Sequence, residues 1–312
     1  MLLLLDHQST SPDWNLAAEE YLLTSFTDSV FRLWRNAPTI IVGRHQNTWA
    51  EVNVPYIRQH HIPVIRRLSG GGAVFHDLGN INFSFMEPKP QGEDSDGTFK
   101  RCTQPILSAL NNIGVAAYLS GRNDLLIDGK KFSGTAQCQV GGRILLHGTL
   151  LYTSALSSLG QALQGPRSKF TKNAVPSTPS PVCNISSHLP DAPPVEQFMN
   201  YLFDYMQNQA TCPTKPTPYT YTPQDLAAIE TLASSKYRTN QWNWGDEPQF
   251  THQTDLKTDF GTLQLHFDTD SNGLISRIHI FGDYIGNFER EALEARLIGH
   301  PPIESALEQA LK

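Results

Sequence analysis

Between Arg66 and Asn80 the chain reads Arg-Arg-Leu-Ser-Gly-Gly-Gly-Ala-Val-Phe-His-Asp-Leu-Gly-Asn, a basic pair running into three consecutive glycines and then into a strand-like run. Residues of these types in this order can cradle an anion. Three glycines let the backbone turn through φ > 0 and bring N–H groups close to a ligand, and the arginines just upstream add full charge and forked donors. A plain turn accounts for the glycines alone. It does not account for the arginine pair, nor for a second polar cluster, Gly121-Arg122-Asn123-Asp124, followed by Lys130-Lys131-Phe132-Ser133-Gly134-Thr135-Ala136. There is no Gly-x4-Gly-Lys-Ser/Thr, and no helical pattern opens after the glycines, so a nucleotide site built here is not of the common NTPase kind.

The elements that must position these residues read as follows. Ser11-Pro12-Asp13 predicts an N-cap with proline at the first helical position, and Trp14, Ala17, Ala18, Tyr21 and Leu22 follow at helical spacing. Phe31, Leu33 and Ile40-Ile41-Val42 predict strands that end at polar loops, and Ile62-Pro63-Val64-Ile65 predicts the strand that delivers Arg66-Arg67 to the glycines. Beyond the loop, Ile81, Phe83 and Phe85 alternate with polar positions, the period of a half-buried strand. The stretches from 165 to 194 and from 211 to 223 are rich in Pro, Ser and Thr and read as loops. Thirty irregular residues in a compact domain are commonly functional when they are ordered. Leu226, Ile229, Leu232 and Ala233 share one helical face, and from Phe250 short alternating runs and a final helix suggest a compact α+β unit. The boundary between the two parts is placed near Gly245.

A chain of 312 residues suits one large domain plus a small one, or two domains, and its 39% hydrophobic content supports a core of that size. The formal charge of -6 offers no global attraction to nucleic acid or to anionic membranes, so binding sites are local. Met1-Leu2-Leu3-Leu4-Leu5 lacks a basic n-region and meets Asp6 at once, which predicts a strand and not a signal sequence. No apolar run approaches the roughly 20 residues needed to cross a bilayer. Cys102, Cys138, Cys183 and Cys212 have neither metal-ligand nor disulfide-framework spacing, so a cytoplasmic location is expected.

The two polar clusters resemble the signatures of the lipoate-protein ligase A family. So do Asn15-Leu16-Ala17-x-Glu19-Glu20-Tyr21-Leu22 as a first helix, Ile41-Val42-Gly43-Arg44-His45-Gln46-Asn47 as a substrate-side loop, and His147-Gly148-Thr149-Leu150-Leu151 as the strand after the lysine loop. Trp242-Asn243-Trp244-Gly245 and Leu263-Gln264-Leu265-His266-Phe267 resemble the start of the family's small C-terminal domain. The resemblance implies an α+β fold: a mixed-sheet adenylating catalytic domain over 1–245 and an accessory α+β domain over 246–312. It implies a ligase that converts free lipoate and ATP to lipoyl-AMP and then passes the lipoyl group to a lysine of an apo lipoyl domain. The acceptors are those of 2-oxoacid dehydrogenase complexes or the glycine-cleavage H protein, with a monomeric enzyme and no nucleic-acid or membrane partner.

By the same resemblance, Arg67, the backbone of Gly72, Ala73, Val74 and Phe75, and Lys131 contact ATP. Ser69 and Gly71 shape the approach of lipoate, which also meets Lys131. Lys131 is the catalytic residue, a cation near both the acyl carboxyl and the α-phosphate. Asp124 reads equally as a Mg2+ ligand and as a capping or turn aspartate. His76 and His147 are read as structural donors. One departure stands out: Gln137-Cys138 follow the Ser-Gly-x-Ala turn where the family commonly has an aromatic-Arg pair, and Arg143 is a candidate to compensate.

Rival readings differ in their chemistry. An octanoyl transferase of the same superfamily needs a reactive thiolate, for which Cys138 and Cys183 are the candidates. A pseudo-ligase that only binds lipoate or lipoyl domains would have lost Lys131 or the glycine loop, and a biotin-type ligase carries a different glycine-rich signature. A serine hydrolase on Ser69, His76 and Asp77 lacks a Gly-x-Ser-x-Gly elbow.

Overall fold

A computed structural model describes residues 1–121, 124–156, 163, 181–208, 216–245, 250, 252–258, 261–284, 290–303 and 307. In chain order its strands are β1 (Leu2–Leu5), β2 (Val30–Trp34), β3 (Thr39–Val42), β4 (Val64–Arg66), β5 (Val74–His76), β6 (Asn80–Pro88), β7 (Ala117–Ser120), β8 (Asp124–Ile127), β9 (Lys130–Val140), β10 (Arg143–Leu151), β11 (Thr217–Pro218), β12 (His252–Thr258), β13 (Gly261–Thr269) and β14 (Ile275–Tyr284). An eight-stranded mixed sheet runs β11-β1-β2-β6-β10-β9-β8-β7. A small sheet of order β4-β3-β5 carries the glycine loop between β4 and β5, and β12-β13-β14 form a separate antiparallel meander.

The central strands are covered on both faces. On one face Phe31, Leu33, Ile81, Phe83 and Phe85 pack with Phe99, Ile106 and Leu110 of the helix Ser95–Asn112 and with Phe198 and Leu202 of the helix Val195–Gln207. On the other, Val30, Trp34, Met86 and Leu145 pack with Leu16, Ala17, Leu22 and Leu23 of the helix Pro12–Ser25 and with Ile229 of the helix Pro223–Leu232. This corrects the half-buried reading of β6, whose residues from Asn80 to Glu87 are all buried. Its polar side meets polar groups of the protein and not water: Ser84 Oγ donates to Glu19 Oε1 at 2.5 Å, and Asn80 Nδ2 donates to Asn82 Oδ1 at 3.0 Å. A buried polar position is tolerated when it is hydrogen-bonded.

The helix Pro12–Ser25 is fixed to the sheet by Arg32, which donates to Asp6 Oδ2 at 2.8 Å, Asn15 O at 2.8 Å and Asn15 Oδ1 at 2.7 Å. Proline opens this helix as predicted, but the Ser11 hydroxyl donates to the Asp13 carboxylate and makes no cap to the helix backbone. The predicted strand at Ile62–Ile65 forms two residues later, at Val64–Arg66. In the C-terminal meander, Leu256, Leu263, Leu265, Ile278 and Ile280 pack with Leu293 and Leu297 of the helix Arg290–Leu297. Gly282 N donates to His45 O at 3.0 Å, joining β14 to the loop after β3. Among the described residues no helix is long and apolar enough to cross a membrane.

Candidate active site

The glycine loop is tied from inside by its own arginines. Arg67 is buried and donates to Gly70 O at 2.6 Å, Gly72 O at 2.9 Å and Ser69 Oγ at 3.0 Å. In a trans peptide the N–H points opposite to the C=O, so the amides of Gly71 and Ala73 point away from the guanidinium. Gly71 needs its freedom, with φ at 89°. Gly43, on the neighbouring loop, is a glycine for closeness: a Cβ there would lie 2.0 Å from Gly71 O. Arg66 turns to the other side and donates to Gly43 O, Gln46 O, Thr48 Oγ1 and Trp242 O at 2.7 to 2.9 Å, bracing the loop from behind.

Lys131 enters from the large sheet. The β8–β9 register shifts between Leu125 and Leu126, so the Lys131 and Ser133 pairs are separated by Phe132, which is fully buried. This bulge leaves Lys130 exposed and turns Lys131 inward. Lys131 Nζ sits 2.7 Å from Asp124 Oδ1, and its side chain lies over Gly134, where a Cβ would come within 3.1 Å of Nζ. Pro181–Cys183 runs parallel beside it, with Lys131 N donating to Pro181 O at 2.8 Å and Cys183 N to Lys131 O at 3.0 Å.

Behind the loop is a relay that the sequence reading did not find. Ser69 Oγ is 2.6 Å from His147 Nε2, and His147 Nδ1 is 3.0 Å from both Glu19 oxygens. Burial pushes the Glu19 carboxyl up, but the His147 and Ser84 bonds and the charges of His147 and Arg32 outweigh it and hold it below the usual range. The ionised carboxylate therefore accepts the Nδ1–H of His147. Serine, histidine and glutamate in this order make a nucleophile relay on paper. Here Ser69 is fully buried, is absent from the pocket wall and accepts from Arg67, so the chain ends in a loop anchor. The hydrolase considered from sequence is not formed either: His76 Nδ1 meets Asn36 Nδ2 at 3.1 Å, and Asp77 caps a turn by accepting from Gly79 N and Asn80 N.

These elements enclose a pocket of about 300 Å³. Arg67, Gly71, Gly72, Ala73, Val74 and Lys131 all line it, with Leu16, Trp34 and Ile41 supplying apolar wall. Ser69 and Phe75 are buried behind it, and Asp124 reaches it through Lys131. His76 is also on the wall; burial, with Arg67 and His147 nearby, pushes it down to about 3, so it is neutral at ordinary pH. The arrangement pairs an apolar end with a cationic end beside outward-facing amides, which suits a carboxylate on an apolar tail next to a phosphate. Among the described residues no group of three or more His, Cys, Asp or Glu could hold a metal. Asp124 fits Mg2+ only as a single carboxylate completed by phosphate oxygens.

Neither candidate thiol is primed for a thioester. Burial, with the Glu19 charge behind it, pushes Cys138 up to about 12, and burial raises Cys183, whose Sγ lies 3.7 Å from Lys130 O. Arg143 does not compensate for the missing arginine. It donates to Leu23 O, Thr27 O and Asp28 O at 2.7 to 2.9 Å, closing the end of the helix Pro12–Ser25. Arg122, Asn123, Cys212 and the greater part of the predicted 165–194 loop lie outside the described residues.

Comparison with known proteins shows the family. Residues 11–207 match the lipoyl protein ligase A/B catalytic domain, and residues 247–312 match the bacterial lipoate protein ligase C-terminus. Lipoate-protein ligase LplJ of Bacillus subtilis (strain 168) is 37% identical over 314 residues, covering 100% of this chain and 94% of that protein. Among solved structures, P. falciparum LipL1 in complex with lipoate shares the fold, with a TM-score of 0.76 at 24% identity over 99% of this chain and 93% of that one. Lipoate-protein ligase A bound with ATP has a TM-score of 0.66 at 25% identity, covering 78% of this chain and 98% of that one. The chain belongs to the lipoyl protein ligase A/B family and carries that family's bacterial C-terminal region.

Proposed function

We propose that this protein is an ATP-dependent lipoate-protein ligase, which forms lipoyl-AMP with release of pyrophosphate and then transfers the lipoyl group to a lysine of an apo lipoyl domain. The observation that carries the reading is one pocket in which Lys131, held by Asp124, faces the Arg67-tied glycine loop, in a chain of this family. A carboxylate is a poor acyl donor until it is activated. The enzyme needs no nucleophile of its own; it holds two anions in line and offsets the charge on the transferring group.

In this reading lipoate lies with its tail between Leu16, Trp34 and Ile41 and its carboxylate at Lys131, with Gly71 and the buried Ser69 setting the loop against it. The α-phosphate rests on the amides of Gly72 to Phe75, with Arg67 behind them. Lys131 Nζ donates to both the acyl oxygen and the α-phosphate as the new bond forms, and later polarises the acyl carbonyl toward the incoming lysine. Mg2+, bound by Asp124 and phosphate oxygens, would neutralise charge on the departing pyrophosphate. The division into a catalytic domain over 1–245 and an accessory domain over 246–312 belongs to the same proposal. So do a monomeric, cytoplasmic enzyme and acceptors of the 2-oxoacid dehydrogenase or glycine-cleavage type. Mass spectrometry of an apo lipoyl domain incubated with the protein and lipoate tests it: a lipoyl mass gained only with ATP supports the ligase. Modification without ATP, or none, counts against it.

A further inference from the structure

Arg66 and Arg67 are successive residues that serve opposite sides of β4, as extended backbone requires. Arg67 lines the candidate active pocket, whereas Arg66 lines a second cavity of about 810 Å³. Its walls are the loop after β3, the segment 235–245, and β14 with the first residue of the helix Arg290–Leu297. The cavity thus lies between the large sheet's domain and the C-terminal meander.

Four cationic side chains face it, Arg44, Arg66, Lys236 and Arg290, and among the described residues no carboxylate lines it. Arg66 is buried, and its guanidinium donates to carbonyl oxygens and the Thr48 hydroxyl, all neutral. Arg44 lies 4.4 Å over the Trp242 ring and has no ion pair among the described residues. Lys236 pairs with Glu20 and Arg290 with Glu291, each at 2.7 Å, and Arg290 Nε lies 3.3 Å from Glu294 Oε1. The crowding is visible in the titration of its members. Burial, then Arg44 and Arg290, push Arg66 down to about 10, and burial and the same cations push His45 down to about 3. Gathering like charges out of water is costly, and an anion bound among them offsets that cost.

We propose that this cavity is a binding site for a small phosphoanhydride polyanion of the pyrophosphate class, held between Arg44, Arg66 and Arg290. Walls from both parts of the chain favour a compact ligand over a peptide segment. A nucleotide is disfavoured because the indole faces at the cavity are already taken: Trp242 carries Arg44 and Lys236, and Trp244 packs on Trp49 with centroids 4.5 Å apart. A ligand touching Arg44 and Arg290 together bridges the two parts and favours their docked arrangement. The ligase reading supplies a source, the pyrophosphate released on adenylation, but the binding itself does not rest on that reading.

Calorimetric titration of the full chain with inorganic pyrophosphate, without ATP, lipoate or metal, tests the site. Wild type and Lys131→Ala bind it in one equivalent, more tightly than inorganic phosphate, and more weakly as salt rises. Arg44→Ala/Arg290→Ala binds at least about tenfold more weakly, the scale expected on losing charge-assisted hydrogen bonds. Arg44→Lys/Arg290→Lys, which keeps the charge and guards against misfolding, binds with an intermediate affinity. Undiminished binding by the double alanine variant would overturn the proposal. So would binding lost in Lys131→Ala, which locates the anion in the active pocket, or an oligoglutamate peptide binding as tightly as pyrophosphate.

Discussion

Gly43→Ala is expected to damage catalysis from a residue that touches no substrate. A Cβ at this position would stand 2.0 Å from Gly71 O, 3.1 Å from Gly71 C and 3.3 Å from Arg67 Nη2. Ordinary contact begins near 3.4 Å, so the glycine loop must retreat by about 1.4 Å, and the obstacle is backbone that no rotamer change can clear. The retreat pulls Gly70 O and Gly72 O against the Arg67 guanidinium that holds them at 2.6 and 2.9 Å, and strains Arg44 N to Ser69 O at 2.8 Å. Overpacking of this kind costs about 1–3 kcal/mol of stability. A misplacement of about 1 Å at a reacting centre costs roughly 10²-fold in rate. The assay is pyrophosphate release with lipoate and ATP, beside urea unfolding of the same samples. A variant with wild-type rate and wild-type midpoint would refute the claim that the loop's position, set by Gly43 and Arg67, governs the chemistry.

Cys138→Ala and Cys183→Ala should each keep most ATP-dependent lipoyl transfer, because both thiols are raised by burial; a loss of orders of magnitude together with a trapped acyl-enzyme would point to a thioester route. Acid stability should depend on Asp225. Burial pushes its carboxyl up, but hydroxyls of Tyr21, Tyr219 and Thr222 and the Thr222 amide outweigh it and bring it from 3.8 to about 2. Its folded value is depressed, so its contribution is fully present above pH 3.8 and is lost as pH falls toward 2. The urea midpoint of Asp225→Asn should be lower than wild type at pH 7, with the gap closing between pH 4 and 2; a gap independent of pH contradicts this.

What the sequence disclosed followed from how unusual its residues are. Two arginines before three glycines, and a lysine just before a Phe-Ser-Gly-Thr turn, have few purely structural uses; Arg67, the glycine loop and Lys131 meet in one pocket, while Arg66 braces the loop from the other side. The relay behind the loop was missed because Ser69 and His147 are 78 residues apart, and His147 and Glu19 are 128 apart. One signal was present: Glu19 falls at helical spacing between Leu16 and Leu22 or Leu23, an acid on the buried face of its helix. The polar positions of β6 misled for a different reason. Alternation looks the same whether the polar side faces water or faces Glu19 and neighbouring strands, and only the second layer of helices distinguishes them. Arg143 could not be placed from sequence because a hairpin's end, not its spacing from the loop, decides which carbonyls it reaches.

The central claim is that Lys131 stabilises adenylation, and neighbouring Lys130 is its internal control, exposed on the same strand. Pyrophosphate release with lipoate, ATP and Mg2+, in the absence of acceptor protein, is measured for both alanine variants after their thermal stability is matched to wild type. Lys131→Ala should lose roughly 10²–10³-fold, about 3–4 kcal/mol of transition-state stabilisation, as when one donor to a developing charge is removed. Lys131→Arg should not restore it, because a broad planar fork does not replace a compact ammonium held 2.7 Å from Asp124. Lys130→Ala should change the rate by only a few fold. Equal rates for Lys131→Ala and wild type, or equal losses for the two lysines, would contradict the account.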